Sequence, residues 1–459
     1  MKRICSVLLL GLWGGLSSAQ AGEPLLFGAD LSFANEMDDC GVVYREAGKP
    51  VDLYTLFKER GANVARVRLW TDGNTTPYST QADVIRSLKR AKALGLKTLL
   101  DFHYSDWWAD GGKQIIPAAW AGIQNQQELT DALYRYTYET LVALNKAGVM
   151  PDMVQPGNEI NHEILDKGPW KTGAIHWTRN ALLLNAAIKA IRDAGAKTAT
   201  HPKVMLQIAQ PENNLPWYAA ASQAGVTDFD MIGISYYPKW STHSLRGLGR
   251  TINLLRNTYP GKAVLVVETA YPYTVKTGPA AAALADDNAT TGYPVSPEGQ
   301  KNFLIDLGQT VIANGGVGVF TWAPDWVPQL CKKNARSDID WMSMTFFDNA
   351  GNVLPAIDHM RATNYKFPVT VTFRFHGAQS GLPFRLWGDF FGDPDGASFP
   401  LTSDGRDLLY HTTLMPGTAL RFQVFGDSAM QKPLVVSKDG VITATVNAGD
   451  TTLDYTLKN

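Results

Sequence analysis

One junction recurs through the first two-thirds of this chain: an amphipathic stretch at helical spacing, a glycine near its end, then a short apolar run with strand character. It falls at Gly61 before Val64–Leu69, Gly95 before Lys97–Phe102, Gly148 before Met153–Gln155 and Gly195 before Val204–Gln207. It returns at Gly225 before Met231–Ile234, Gly261 before Val264–Val267 and Gly315 before Val317–Phe320, and the opening run Leu26–Asp30 brings the strands to eight. Strands that alternate with helices pair in parallel through right-handed crossovers, and eight such units close into a (β/α)8 TIM barrel. An open doubly wound sheet is the competing arrangement, but no G-x-G-x-x-G phosphate turn follows the first strand.

One helix shows the local logic. Thr80-Gln81-Ala82-Asp83 fits a capping box, and Val84, Leu88, Ala91 and Leu94 then recur at helical spacing until Gly95 stops the helix.

After about residue 365 the period changes to two: Val369–His376 alternates as a half-buried strand does, and Ala419–Val424 and Val441–Val446 repeat the pattern between turn signals such as Ser403-Asp404-Gly405. The fold class expected is therefore α/β, a barrel over residues 22–365 followed by a small all-β, sandwich-like domain over 366–459. Two readings of that second domain stay open. It binds carbohydrate through exposed rings near Trp387, Phe390 and Phe391, or it only packs on the barrel.

Met1-Lys2-Arg3, the apolar run Val7–Leu16 and Ala19-Gln20-Ala21 read as a signal peptide over residues 1–21, which predicts export to periplasm or medium. No apolar run reaches the roughly 20 residues that span a bilayer. Cys5 leaves with the signal, so Cys40 and Cys331 remain as a candidate disulfide between loops after strands 1 and 8. Lys plus Arg 42 against Asp plus Glu 43 leaves a net charge of −1, which gives no field to steer nucleic acid or anionic membrane and favours a neutral partner. Thirteen Trp and 17 Tyr supply rings on which the apolar faces of sugars can stack.

In Val154-Gln155-Pro156-Gly157-Asn158-Glu159 and Val264-Leu265-Val266-Val267-Glu268-Thr269, a strand delivers an acid to its C-terminal end, where an α/β barrel opens to substrate. Glycoside cleavage with retention needs one carboxylic acid to protonate the leaving oxygen and a second, roughly 5 to 5.5 Å away, to attack the anomeric carbon. Glu159 after strand 4 and Glu268 after strand 7 face each other across the mouth. Asn158 can donate its amide to a sugar hydroxyl, and a charge-assisted bond from an arginine on strand 2, or the hydroxyl of Tyr236, can hold Glu268 ionised. Arg66 and Arg68 share strand parity, so spacing alone does not choose between them. His103 and Trp322, each past a strand end, complete a polar and aromatic ring. Neither an HExxH, nor a zinc-like Cys/His cluster, nor a G-x-S-x-G elbow is present. Asp286-Asp287-Asn288 is acidic enough to hold a cation but reads first as a solvated turn.

Phe27–Ser32, Ala65–Trp70, Asp101–Asp110, Gln155–Ile160, Val267–Pro272 and Tyr293–Gln300, in that order, resemble glycoside hydrolase family 53, the endo-β-1,4-galactanases among the clan A barrels. The resemblance covers about residues 25 to 365. It implies a retaining enzyme with Glu159 as acid/base and Glu268 as nucleophile, acting on β-1,4-galactan side chains of pectin. It favours Arg68 over Arg66, places Trp108 and Asp110 in the substrate-binding loop after strand 3, and implies no required cofactor. Some bacterial members hold calcium in the loop after strand 7, but the Ala-rich Gly278–Asn288 departs from that pattern. A monomer is expected. The alternatives are another clan A endo-glycanase, on mannan or glucan, and a saccharide-binding protein without chemistry.

Overall fold

The computed structural model describes residues 25–71, 76–168, 174–275, 292–333, 340–377, 384–392, 396–426, 433–434 and 441–457. The expected signal peptide and Asp286-Asp287-Asn288 lie outside them.

Eight parallel strands close into a barrel: β1 (Leu26–Asp30), β2 (Val64–Leu69), β3 (Lys97–Phe102), β4 (Met153–Pro156), β5 (Lys203–Ala209), β6 (Met231–Ser235), β7 (Ala263–Glu268) and β8 (Gly318–Thr321), with β8 paired back to β1. Around it run α1 (Leu53–Glu59), α2 (Gln81–Ala93), α3 (Gln126–Lys146), α4 (Trp177–Gly195), α5 (Pro211–Gln223), α6 (Leu245–Thr258) and α7 (Pro297–Ala313). The eighth unit departs from expectation: among the described residues no α-helix follows β8, and the 3₁₀ segment Pro355–Met360 packs beside α7 instead.

Strand parity separates two cores. Phe27, Ala65, Leu100, Val204 and Leu206 face the helices, while Leu26, Val64, Leu99, Met153, Met205, Met231 and Phe320 fill the barrel axis. Phe320 leaves no room opposite: a Cβ on Gly28 would come within 2.4 Å of its ring, so the glycine is required by close approach. Each such burial contributes about 1.5–3 kcal/mol. Above this apolar floor the inward positions turn polar, with Asp30, Arg66, Asp101, Gln155 and Gln207 all buried.

The capping box of α2 is half formed. Thr80 Oγ1 accepts from Asp83 N at 3.3 Å, but the Asp83 carboxylate turns to Ser79 N (2.8 Å) and Asn35 Nδ2 (2.7 Å), tying the helix to the segment after β1. Gly95 then takes φ +71°, the left-handed turn that ends a helix. Gly195 does not act this way; it is the last residue of α4, pressed against Pro202.

Cys40 and Cys331 are joined, Cα atoms 5.0 Å apart, and connect the segments after β1 and β8. Beyond Tyr365, β9 (Val369–His376) pairs antiparallel with β13 (Leu408–Leu414) and parallel with β17 (Thr451–Thr456), and β12 (Thr402–Ser403) closes that sheet at the other edge. The second sheet contains β10 (Arg385–Gly388), β11 (Ala397–Pro400), β14 (Ala419–Phe425), β15 (Pro433–Leu434) and β16 (Ile442–Thr445). Phe373, Phe375, Leu386, Phe391, Phe422 and Val424 form a core between them. The suggestion of exposed rings here is corrected: Phe390 and Phe391 are buried in that core, and Trp387 lies half-buried against Gly396. This unit docks on the C-terminal half of α6, where Arg256 donates to Thr412 and Thr413 (2.7 and 2.8 Å) and Tyr410 meets Asn257.

Candidate active site

A cleft of about 580 Å³ opens over the C-terminal ends of the barrel strands, and Glu159, Glu268, Asn158, Trp108, Asp110 and Trp322 all line it. The strand ends around it carry unusual backbone. Tyr104, Glu159, Gln210 and Ala323, each just past a strand, adopt positive φ of 48°, 45°, 64° and 48°. Such conformations are costly for residues with a Cβ and persist only where neighbours fix them. At Glu159 they do: its N–H donates to Gln207 Oε1 (3.1 Å), and Gln114 Nε2 donates to the carbonyls of Asn158 (2.8 Å) and Glu159 (3.1 Å).

Glu268 reaches the cleft through a register slip. Met231, Ser235 and Leu265 have inward parity and Val264 and Val266 outward parity, so an unbroken β7 would point Glu268 at the helices. Ile234 pairs with Val266 but Ser235 pairs with Glu268, and this one-residue bulge turns the carboxylate inward. Three groups then grip it. Arg66 Nη1 (3.0 Å) and Gln207 Nε2 (3.0 Å) donate to Oε2, and the Tyr237 hydroxyl (2.9 Å) donates to Oε1.

Two expectations are corrected here. Arg66, not Arg68, meets Glu268: two residues of strand span about 6.6 Å, so a long side chain starting at Arg66 ends level with the carboxylate, and one starting at Arg68 overshoots. The Arg68 guanidinium instead sits over the rings of Phe33 (4.2 Å), Trp70 (4.7 Å) and Trp108 (4.2 Å), with Nε on Ser79 Oγ, and burial lowers its basicity to about 10. Tyr237, not Tyr236, serves Glu268. Counting parity from Met231 through Ser235 would have selected it, whereas the Tyr236 ring packs outward and its hydroxyl donates to the His243 carbonyl at 3.0 Å.

Arg66 also binds Asp30 (2.9 Å), Asp101 (2.9 Å) and the Asn158 side-chain oxygen (2.7 Å). Burial alone would depress its pKa, but the carboxylates of Asp101, Glu268 and Asp30 outweigh that and hold it raised. Asn158 is thereby oriented, one amide hydrogen going to the Ala109 carbonyl at 2.8 Å. His103 is not in the cleft wall. Its Nδ1 accepts from Ala109 N (3.1 Å), which leaves its proton on Nε2, 3.2 Å from Asp101, so it anchors the loop that presents Trp108. Asp110 accepts from Gly112 N and Lys113 N at 2.9 and 3.1 Å, shaping the tip of the same loop.

Glu159 has a different setting. Its pKa is pushed up to about 8, first by desolvation and then by the negative charge of Glu268, against smaller opposing hydrogen bonds from Ser235 and Gly111 N (3.1 Å). A carboxyl that keeps its proton near neutrality thus shares a cleft with one gripped by an arginine and two further donors. Sequence reasoning missed Tyr237, Gln207, Trp240 and Trp341. Gln207 had a signal, a lone polar residue within the apolar run Val204–Ala209, and its side chain touches both glutamates, through Glu159 N and Glu268 Oε2.

Among the described residues no group of three or more His, Cys, Asp or Glu gathers as a metal site would require, and no helix is long and apolar enough to cross a membrane.

The family model for glycosyl hydrolase family 53 matches residues 26–360. An arabinogalactan endo-β-1,4-galactanase of Cellvibrio japonicus is 46% identical over 343 residues, 74% of this chain and 91% of that protein. An endo-β-1,4-galactanase of Bacillus subtilis is 36% identical over 314 residues, 66% of this chain and 70% of that one. Among solved structures, the Ignisphaera aggregans GH53 catalytic domain superposes with a TM-score of 0.67 at 32% identity, covering 75% of this chain and 98% of that domain. A fungal β-1,4-galactanase gives 0.62 at 29% identity, covering 73% and 99%. From the closed barrel, the rim that carries two unlike glutamates and this match over most of its length, the chain belongs to glycoside hydrolase family 53.

Proposed function

We propose that the protein is an exported endo-hydrolase of β-1,4-galactan, acting with retention on the arabinogalactan side chains of pectin, and that Glu159 is its acid/base and Glu268 its nucleophile. The observation that carries the reading is the inequality of the two carboxyls, one desolvated and proton-retaining, the other fixed by Arg66, Gln207 and Tyr237. Glu159 gives its proton to the glycosidic oxygen while a Glu268 oxygen bonds to the anomeric carbon and the C–O bond breaks. Glu159, now ionised, takes a proton from water, whose oxygen displaces Glu268 and restores the starting configuration. Asn158, held by Arg66 and Ala109, retains one amide hydrogen for a sugar hydroxyl. Trp108, Trp322 and Trp341 supply the apolar wall on which a ring stacks.

Galactan is favoured by the names of the relatives; mannan and glucan are the rivals on the same scaffold. Reducing-end release from potato galactan, galactomannan and carboxymethylcellulose separates them. Release from galactan is expected to dominate, and appreciable release only from the other two would overturn the choice. We further propose that residues 22–365 are the catalytic unit, that 366–459 are accessory, that the enzyme acts as a monomer, and that no cofactor takes part.

A further inference from the structure

The two arginines of β2 are buried alike and partnered in opposite ways. Arg66 binds three carboxylates, whereas among the described residues no carboxylate pairs with Arg68, which is 2% exposed. Arg68 Nε donates to Ser79 Oγ (2.9 Å), and Nη1 is buried with no hydrogen-bond partner. Burial outweighs the more distant charges of Asp30, Glu36, Asp83 and Asp325, which is why its basicity falls. A guanidinium left in this state is costly to bury. What holds it is three ring faces: Phe33 after β1, Trp70 at the end of β2 and Trp108 in the loop after β3.

A cation is attracted to the face of a ring, so the guanidinium orients these rings as well as filling the space between them. An apolar side chain of similar length would fill it without that direction. Trp108 is the ring that bears on substrate, because it lines the cleft and packs edge-on against Trp322 (5.8 Å), which lines it too. Behind it Trp70 stands edge to face at 5.1 Å, and Phe33 stacks on Trp326 at 4.1 Å. His103 fixes the next residue, Ala109, only by its backbone. We propose that Arg68 is a positioning residue: its guanidinium, enclosed by Phe33, Trp70 and Trp108, holds the Trp108 ring at the angle a sugar face requires. It therefore governs how tightly substrate is held and not how fast the bond breaks. The proposal rests on the reading of Trp108 as a stacking surface.

The test follows KM and kcat on β-1,4-galactan, with near-ultraviolet circular dichroism and thermal unfolding, for wild type, Arg68→Met, Arg68→Lys, Trp108→Ala and Trp108→Ala combined with Arg68→Met. Arg68→Met is expected to raise KM about tenfold with kcat within about threefold, and to change the tryptophan band of the spectrum. Arg68→Lys keeps a cation among the rings and regains part of the affinity. On the Trp108→Ala background Arg68→Met raises KM less than about twofold further, because the ring it acts through is gone. Should Arg68→Met not fold, Arg68→Lys carries the same comparison. An unmoved KM in the Arg68 variant, losses that multiply in the double variant, or failure of both Arg68 variants to fold would overturn the proposal and leave the catalytic reading intact. Trp108→Ala with the wild-type KM would remove the stacking surface and the proposal with it.

Discussion

The two sides of the cleft carry the same residue type in opposite surroundings. At Glu268 the barrel spends a layer of inward positions on wiring, so that Arg66, Gln207 and Tyr237 converge on one carboxylate. At Glu159 the backbone is forced to φ 45° and one backbone donor, Gly111, reaches the carboxylate, so desolvation dominates. Chemical role here is set by environment: donors and positive charge make an acceptor of protons into a fixed anion, while dryness and a nearby negative charge make the same group an acid.

The contrast breaks most visibly at Glu268. Glu268→Ala is expected to lower kcat on galactan by at least about 10⁴-fold while calorimetry still detects binding of galacto-oligosaccharides; an unchanged kcat removes the assigned role. Next comes Glu159→Ala, with a loss of about 10² to 10⁴-fold on galactan. On an aryl galactoside with a good leaving group the loss of the bond-breaking step should be far smaller, because departure then needs no proton. Equal losses on both substrates would deny Glu159 the role of donor.

Tyr237→Phe removes one donor from Glu268 without touching Glu159. A fall of about 10 to 100-fold in kcat/KM is expected, with the alkaline limb of the pH profile in place; a clear displacement of that limb in the variant would mean the two sides are not separable. The smallest effect is on stability. Glu159 has an ordinary value of 4.5 and a folded value of about 8, so between these the unfolded chain ionises and the folded one does not. Stability therefore drains away as pH rises through that window and levels off above it. Glu159→Gln abolishes the drain, so its advantage over wild type in denaturant unfolding should grow from near zero below pH 4 to on the order of 4 kcal/mol at pH 8. A constant difference across this range would contradict a buried, proton-retaining Glu159.

How far the sequence could be read depends on which part of the backbone a residue occupies. Seven of the eight strands were legible because each couples an apolar run to a preceding glycine, the first as the opening apolar run, and the two glutamates because each ends such a run. What resisted was the third dimension above the strand ends. Arg66 and Arg68 are equivalent by parity and differ only in how high an extended side chain ends. The slip between β6 and β7 that turns Glu268 inward leaves no residue-level mark, since Val266, Val267 and Glu268 read as an ordinary strand end. Tyr237 was within reach of a parity count, but Trp240 enters the cleft from a loop and Trp341 from the short 3₁₀ segment Asp340–Ser343, too short for a period to show. Phe390 and Phe391 looked like display rings because their neighbours are polar, and they are buried because two sheets close over them.

The most direct test is to follow the carboxyl carbons of ¹³C-labelled glutamate by NMR across pH in wild type, Glu159→Gln and Glu268→Gln. One resonance, absent from Glu159→Gln, is expected to titrate near 8 and to move to lower pH in Glu268→Gln, where the neighbouring negative charge is gone. A Glu159 resonance that titrates near 4.5 in wild type and does not respond to Glu268→Gln would contradict the account.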